Sequence, residues 1–99
     1  MKNKAFLLTS CHNEKDTILS LLKTLENQTY KYTEVIVVDD GSTDGTLEAI
    51  TKKYPKVTVI KGDGNLWWTG SIAKGVSYIL KTAKNTDFIL TINSDCEVK

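Results

Sequence analysis

The clearest structural signal in the chain is the segment Val35-Ile36-Val37-Val38-Asp39-Asp40-Gly41-Ser42-Thr43-Asp44-Gly45. Its four apolar, β-branched residues form a continuous run, which is typical of a strand buried on both faces of a parallel sheet. The polar residues that follow therefore fall at the carboxyl end of that strand. Ligands of open α/β sheets bind at this edge, so the segment predicts the position of a site together with the fold.

The rest of the chain alternates between strand and helix patterns. Strands are predicted at residues 5–9, 35–38, 57–60 and 88–92. Apolar residues recur at helical spacing between them: Ile18, Leu21, Leu22 and Leu25, then Leu47, Ile50 and Tyr54, then Ile72, Val76, Ile79, Leu80 and Ala83. This alternation predicts a three-layer α/β fold with a parallel, Rossmann-like sheet and right-handed crossovers.

Polar residues are expected to cap the predicted helices. The candidates are Asn13 or Asp16 for the first helix, Ser42 or Thr43 for the second and Ser71 for the third. Residues 61–70 contain three glycines and two tryptophans and are expected to form a loop. One indole of this loop is expected to stack on a sugar or base or to lie against another part of the protein, whereas Trp67 is more simply interpreted as a loop anchor.

The composition excludes several classes of protein. The chain has 99 residues, of which 40% are hydrophobic and 25% charged, and a formal net charge of +1, which suits one small domain with a core. Its lysines are interleaved with acids, so no nucleic-acid partner is predicted. No apolar run reaches the ~20 residues of a membrane span. Two cysteines, Cys11 and Cys96, make no disulfide framework, and a cytoplasmic location fits them best.

Three polar clusters are expected to meet at the carboxyl edge of the sheet, because parallel strands all end on the same side. They are residues 9–14, 39–44 and 93–95. Asp39 and Asp40 are suited to accept hydrogen bonds from a base or ribose, and one of them also to cap a helix. Asn93 and Asp95 are suited to hold a divalent cation on a ligand's phosphates, although in isolation a turn with Asx hydrogen bonds explains them more simply. Neither a GxGxxG nor a GxxxxGK[ST] motif is present.

These segments together resemble the amino-terminal half of family 2 glycosyltransferases. The resemblance lies in Thr9-Ser10-Cys11-His12-Asn13-Glu14, in Val37-Val38-Asp39-Asp40-Gly41-Ser42-Thr43-Asp44, in residues 64–75 and in Asn93-Ser94-Asp95. It implies the GT-A fold and an inverting transferase of polysaccharide biosynthesis. Such an enzyme moves a sugar from a UDP-, GDP- or dTDP-sugar to a hydroxyl of a glycan or lipid-linked acceptor.

The resemblance also implies roles for individual residues. Thr9, Cys11 and His12 would border the nucleobase, Asp40 would contact the base, and Asp39 would support the turn and the ribose. Gly64, Asn65 and Trp68 would belong to a donor loop. Asn93 and Asp95 would match the DxD-type motif that holds Mn²⁺ or Mg²⁺ on the diphosphate.

The chain departs from the family pattern at several of these positions. His12 stands where most members have Tyr, and Asn93 replaces the first acid of the DxD-type motif. Ile72 and Ala73 stand where an Arg or Asn often faces the donor, which leaves Lys74 as the candidate for phosphate contact.

The resemblance further implies that the catalytic general base lies outside the chain. An inverting transfer needs a base that accepts the acceptor's proton, and in the family this acid lies beyond the DxD-type motif. Residues 1–99 are therefore expected to be one truncated donor-binding domain without the acceptor-binding half, and inactive for transfer alone. The complete protein would lie in the cytoplasm or at the inner face of the membrane, and the truncated face would favour self-association.

Three alternatives remain open on the sequence. A nucleotidyltransferase would need a glycine-rich loop with a basic residue after the first strand, which residues 10–14 do not provide. A receiver-like signalling module would place its acidic pair after the first strand rather than the second. A non-catalytic nucleotide-binding domain would share every motif and differ only in lacking turnover.

Overall fold

The chain alternates strand and helix in the order that its sequence predicts. A computed structural model describes residues 4–27, 32, 34–81 and 87–92. The elements are β1 (Ala5–Cys11), α1 (Lys15–Glu26), β2 (Glu34–Asp39), α2 (Thr46–Lys53), β3 (Thr58–Lys61), α3 (Trp67–Leu80) and β4 (Phe88–Thr91). All four strands are parallel and lie in the order β3-β2-β1-β4, which confirms the predicted α/β fold.

Helices cover both faces of the sheet, so the domain has three layers. Alternate residues of a strand point to opposite faces, and the buried residues divide accordingly. Leu7 and Val37 belong to a core cluster that includes Ile18 and Leu22 of α1 and Ile50 of α2. On the other face a second cluster contains Phe6, Leu8, Ile36, Val38 and, from α3, Ile79.

The approach of α3 to the sheet depends on a glycine. Ser71, Gly75 and Ile79 form the buried stripe of α3, four residues apart along one helix face. A Cβ atom at Gly75 would lie 2.3 Å from Cδ1 of Leu8, so the absence of a side chain sets the distance between α3 and β1. None of the helices within the described residues has the length and hydropathy that crossing a membrane requires.

The third helix begins five residues earlier than predicted. Its first residue is Trp67, so both tryptophans belong to its first turn and not to a loop. The physical reason is that the side chain of Asp40 accepts the backbone N–H groups of Leu66 and Trp67, which a helix start leaves without partners. Ser71 is buried inside the helix and does not cap it.

The starts of the first two helices also differ from the prediction. Neither helix has a side-chain hydrogen bond from its N-cap residue, which is Glu14 for α1 and Gly45 for α2. Asp44 instead accepts the backbone N–H of Thr46 at 3.1 Å, and Asn13 turns towards the neighbouring loop. The predicted caps are therefore replaced by Asp44, which accepts a backbone N–H at the start of each helix, that of Lys15 from the other loop at 3.2 Å and that of Thr46 within its own loop.

The strand β4 is the least covered strand of the described residues. Phe88 is 63% exposed and Leu90 is 46% exposed, and Leu80 at the end of α3 is 64% exposed. Exposed apolar edges and patches favour association. Self-association through this face stays a prediction.

Candidate functional site

The loops after β1 and β2 meet at the carboxyl edge of the sheet. The register places Cys11 opposite Asp39, so both strands end side by side. Ser42 Oγ accepts the backbone N–H of Asn13 at 2.9 Å, and Asn13 Oδ1 accepts the backbone N–H of Thr43 at 2.7 Å. Two of the three polar clusters found in the sequence therefore form one hydrogen-bonded surface.

The carboxylate of Asp40 joins this surface to the segment before α3. Its Oδ1 accepts the backbone N–H of Gly64 at 2.8 Å, and its Oδ2 accepts those of Leu66 and Trp67, each at 3.0 Å. Burial alone would raise the pKa of this carboxyl, but these backbone hydrogen bonds, with a smaller contribution from His12, hold the pKa below its usual value. Asp40 is therefore ionised at neutral pH and anchors the start of α3.

Two glycines allow the segments after β2 and β3 to approach each other. Gly41 has a φ of 71°, and a Cβ atom there would lie 2.7 Å from the Cα of Gly64. Any side chain at Gly41 would thus collide with backbone, and L-residues rarely adopt this conformation. The close contact places the Gly64 N–H within reach of Asp40.

Asp39 supports the turn that follows β2. Its Oδ1 accepts the backbone N–H of Ser42 at 3.2 Å, and its backbone carbonyl accepts those of Gly41 and Gly62 at 2.9 and 2.8 Å. The side chain is buried. These contacts tie the turn to the end of β3.

Cys11 is a neutral thiol in this setting. Burial, followed by the negative charges of Asp39, Glu14 and Asp44, raises the pKa of Cys11 to about 12. A thiolate is the nucleophilic and metal-binding form of cysteine, so Cys11 is suited to neither role at neutral pH. Its Sγ lies 4.0 Å from Asp39 Oδ1.

The imidazole of His12 has a fixed orientation although the residue is exposed. Its Nδ1 lies 2.6 Å from the backbone oxygen of Asp40, and since a carbonyl oxygen only accepts, Nδ1 carries the hydrogen. Its Nε2 lies 3.5 Å from Nδ2 of Asn13. The ring is thereby held at the mouth of the site.

A cleft of about 260 Å³ opens between these segments. Its walls come from the end of β1, from Asp40 and from the start of α3. The lining residues are Ser10, Cys11, His12, Glu14, Asp40, Gly64, Trp67, Trp68 and Ser71. Of the candidates named from the sequence, Cys11, His12, Asp40, Gly64 and Trp68 are brought together here.

The other candidates lie outside the lining of this cleft. Thr9 is fully buried in β1, and its Oγ1 has no hydrogen-bond partner among the described residues. Asp39 is buried behind the turn. Asn65 and Lys74 are exposed, and the backbone N–H of Asn65 donates to Asp63 Oδ1 at 2.8 Å. Asn93 and Asp95 lie outside the described residues.

Two residues of the cleft have a different role in the sequence prediction. The sequence predicts Trp67 as a loop anchor and Ser71 as a helix cap, because it predicts a later start of the helix. With the helix starting at Trp67, these two residues lie in its first turns, four positions apart, and line the cleft together. The signal that would have found them is the pair of spacings from Trp67 to Ser71 and from Ser71 to Gly75.

The described residues contain no cluster of three or more His, Cys, Asp or Glu side chains that would hold a metal ion. Two acidic residues, Glu14 and Asp40, line the cleft, and backbone N–H groups already occupy most of the Asp40 carboxylate. The metal site predicted at Asn93 and Asp95 therefore stays a prediction, since both residues lie outside the described part of the chain.

A second cavity of about 400 Å³ lies at the opposite end of the sheet, between the ends of α1 and α2. Apolar and aromatic residues dominate its lining, among them Leu22, Leu25, Tyr32, Tyr54 and Pro55. It is larger than the cleft, but it lies away from the carboxyl ends of the strands, where ligands of such sheets bind. The smaller cleft is the candidate site.

Comparison with known proteins finds similarity to glycosyltransferases. The family model for glycosyl transferase family 2 matches residues 7–99. A cholesterol galactosyltransferase of Borreliella burgdorferi is 36% identical over 78 residues, covering 77% of this chain and 22% of that protein. The Escherichia coli WfaP, a UDP-Glc:alpha-D-GlcNAc-diphosphoundecaprenol beta-1,3-glucosyltransferase, is 33% identical over 90 residues, covering 90% of this chain and 34% of that protein. The chain thus spans about a fifth to a third of the length of these relatives.

Solved structures share the fold. The mannosyltransferase PcManGT of Pyrobaculum calidifontis, in complex with GDP-Man and Mn²⁺, superposes with a TM-score of 0.77 at 20% identity, covering 96% of this chain and 28% of that one. A 4-diphosphocytidyl-2C-methyl-D-erythritol synthase superposes with a TM-score of 0.76 at 22% identity, covering 94% and 46%. The fold alone therefore does not separate these two enzyme classes, whereas the family match does.

Proposed function

The chain belongs to glycosyl transferase family 2, and we propose that it is the donor-binding part of an inverting glycosyltransferase. In this role it binds a nucleotide-diphosphate sugar in the cleft at the carboxyl ends of β1 and β2. The observation that carries the proposal is the position of this cleft, which is lined by Cys11, His12 and Asp40 within the matched family segment. The neighbouring structure with GDP-Man and Mn²⁺ supports a nucleotide-sugar as the ligand class.

The nucleoside is assigned to the mouth of the cleft, beside His12. Three backbone N–H groups donate to the carboxylate of Asp40, that of Leu66 to both oxygens. Asp40 also lines the cleft, so we assign to it a contact with the base in addition to its role as a helix anchor. Thr9 and Asp39 do not line the cleft, so we assign them to supporting its floor and the ribose-binding turn.

The diphosphate is assigned to the side of the cleft that Gly64 and Trp68 line, with the exposed Asn65 next to Gly64 in the same donor loop. Lys74, six residues after Trp68 in α3, is the candidate for a phosphate contact. Asn93 and Asp95 are the residues proposed to hold Mn²⁺ or Mg²⁺. The cation would offset negative charge on the diphosphate when bound.

The transfer step itself is assigned to residues beyond this part of the enzyme. A general base must take the proton of the acceptor hydroxyl. We place that base, and the surface for a glycan or lipid-linked acceptor, in the acceptor-binding part of a longer protein. Residues 1–99 are then expected to bind the donor without transferring the sugar, in the cytoplasm or at the inner face of the membrane.

Calorimetric titration of the folded chain with UDP, GDP and dTDP tests the proposal, each with Mn²⁺ and with a chelator. We expect one nucleotide to bind, and to bind more weakly with chelator. In the Asp95→Ala variant the difference between metal and chelator should disappear, while the Asp40→Ala variant should bind weakly under both conditions. Absence of binding to all three nucleotides by the folded chain would contradict the proposal, and binding that is insensitive to chelator would remove its metal component.

A further inference from the structure

Trp67 and Ser71 line the cleft but are not among the residues assigned above. We propose that the indole of Trp67 is a platform on which the nucleobase stacks, and that the hydroxyl of Ser71 forms a hydrogen bond with an edge atom of the same base. This inference rests on the proposed function, because it names contacts of the nucleotide in that cleft.

Trp67 is held in a conformation that its residue type does not favour. Its φ of 56° lies in the left-handed region, where a bulky side chain is an outlier. The carboxylate of Asp40 fixes this geometry by accepting the N–H groups of Leu66 and Trp67. Residues held in this way occur preferentially at ligand sites.

The exposure of the indole gives no packing reason for that conformation. Trp67 is 78% exposed, whereas the neighbouring Trp68 is 43% exposed. A large aromatic side chain normally contributes to stability by burying its surface. An indole held open above a cleft is instead available to a ligand.

Ser71 supplies the second, independent observation. It is 1% exposed, and among the residues that the structure describes its Oγ has no hydrogen-bond partner. Buried hydroxyl groups are normally paired, and Ser71 lines the same cleft as Trp67. A polar atom of a bound ligand would provide the missing partner.

The chemistry of these two groups favours a nucleobase over a sugar ring. Aromatic side chains stack on the flat face of any base, and the ring of His12 lines the same cleft. A base also carries donors and acceptors along its edge, which one buried hydroxyl is suited to bind. Trp67 and Ser71 both line this cleft, so one base is within reach of both.

The first test uses the Trp67→Gly variant. Glycine adopts a positive φ without strain, so the variant should unfold at no lower urea concentration than the unmutated chain. Its affinity for the nucleotide that the unmutated chain binds should fall roughly 5- to 150-fold, which is the range for loss of one base–aromatic stack. The Trp67→Phe variant should retain most of the affinity, and the exposed Thr69→Ala variant is the matched control with unchanged affinity. Unchanged affinity of the Trp67→Gly variant would overturn the inference.

The second test uses the Ser71→Ala variant. It removes a buried hydroxyl that has no hydrogen-bond partner in the described part of the chain, so stability should be equal or higher. Nucleotide affinity should nevertheless fall roughly 2- to 10-fold, as expected for loss of one hydrogen bond. An affinity equal to that of the unmutated chain would remove Ser71 from the site.

Two further readouts assign the contact to the base. The chain has two tryptophans, so the Trp68→Phe variant retains Trp67 alone. Binding of the nucleotide should quench the fluorescence of Trp67 in this variant. The loss of affinity in Trp67→Gly should be equal for the nucleoside diphosphate and its sugar conjugate. A loss seen only with the conjugate would overturn the assignment to the base.

If the unmutated chain binds no nucleotide, the proposed function fails and this inference fails with it. If the unmutated chain binds a nucleotide and the Trp67→Gly variant binds it equally well, the inference alone is overturned.

Discussion

The carboxylate of Asp40 at the end of β2 accepts the backbone N–H of Trp67 at 3.0 Å, across 27 positions of the chain. This contact ties the carboxyl edge of the sheet to the first residue of α3. The same carboxylate also accepts the N–H groups of Gly64 and Leu66. One side chain therefore sets the distance between two walls of the cleft, and its replacement should affect folding and ligand binding together.

Replacement of Asp40 by Asn should destabilise the chain by about 1–2 kcal/mol, the range for loss of a helix cap. The Asn amide has one acceptor oxygen, whereas the Asp carboxylate has two. Its NH₂ group would face the backbone N–H groups at the start of α3 and could not accept from them. Urea unfolding measures the difference. Asp63→Asn is the matched control, because Asp63 is exposed and accepts a local hydrogen bond from the backbone N–H of Asn65. Equal stabilities of the two variants would show that Asp40 is not an anchor.

The acid dependence of stability should report the same carboxylate. The pKa of Asp40 is lowered in the folded state, so the unfolded state binds more protons as the pH falls. The contribution of Asp40 is then fully present above its unfolded pKa of about 3.9 and is lost as the pH falls through its lower folded pKa. The stability difference between the unmutated chain and Asp40→Asn should therefore shrink below about pH 4. A difference that is constant from pH 7 to pH 2.5 would contradict this assignment.

The thiol of Cys11 should be unreactive in the folded chain. Its pKa is raised to about 12, first by burial, so iodoacetamide at pH 8 should label Cys11 only after unfolding. Peptide mapping by mass spectrometry distinguishes it from Cys96. Stability should also fall as the pH rises above about 8.5, because the thiol ionises in the unfolded state before it does in the folded state. Rapid labelling of Cys11 under native conditions would show that it is accessible.

Gly75→Ala should destabilise the chain by about 1–3 kcal/mol, the usual cost of overpacking a core, although alanine favours helix. The added Cβ would lie 2.3 Å from Cδ1 of the fully buried Leu8. A double-mutant cycle with Leu8→Ala measures the contact. The cost of Gly75→Ala should vanish or change sign in the Leu8→Ala background, and two additive effects would refute the clash.

Asn13→Ala should loosen the contact between the two loops. Asn13 has a φ of 51°, and its Oδ1 accepts the backbone N–H of Thr43 at 2.7 Å. Alanine loses the hydrogen bond and strains the backbone, whereas glycine loses only the hydrogen bond. Asn13→Ala should therefore be less stable than Asn13→Gly by about 1 kcal/mol, as measured by urea unfolding. The reverse order would show that the positive φ is not maintained in solution.

The order of strands and helices follows from sequence because each element carries a strong local pattern. Residues 35–38 are all β-branched and apolar, which is typical of a buried strand. The spacing that indicates one face of a helix is found at Ile18, Leu21, Leu22 and Leu25. Topology then places the polar residues after β1 and β2 at one edge, since parallel strands end on the same side. This part of the site requires no knowledge of side-chain geometry.

The start of α3 could not be predicted in the same way. Trp67 and Trp68 precede a Gly-containing segment, and local propensity favours a loop there. The helix begins at Trp67 because Asp40, distant in sequence, satisfies the N–H groups of the first turn. Tertiary contacts of this kind leave no local signal, and the roles of Trp67 and Ser71 in the cleft depend on them.

The most direct test of a donor site at the carboxyl edge is amide NMR of the isotope-labelled chain, titrated with whichever nucleotide diphosphate binds. The predicted result is that the largest shifts fall on Ser10, Cys11 and His12, on Asp40, and on residues 64–71. The Tyr54–Pro55 end of the domain, which lines the larger cavity, should show little change. Shifts concentrated at that opposite end, with the residues around His12 and Trp67 unaffected, would contradict the proposed donor site.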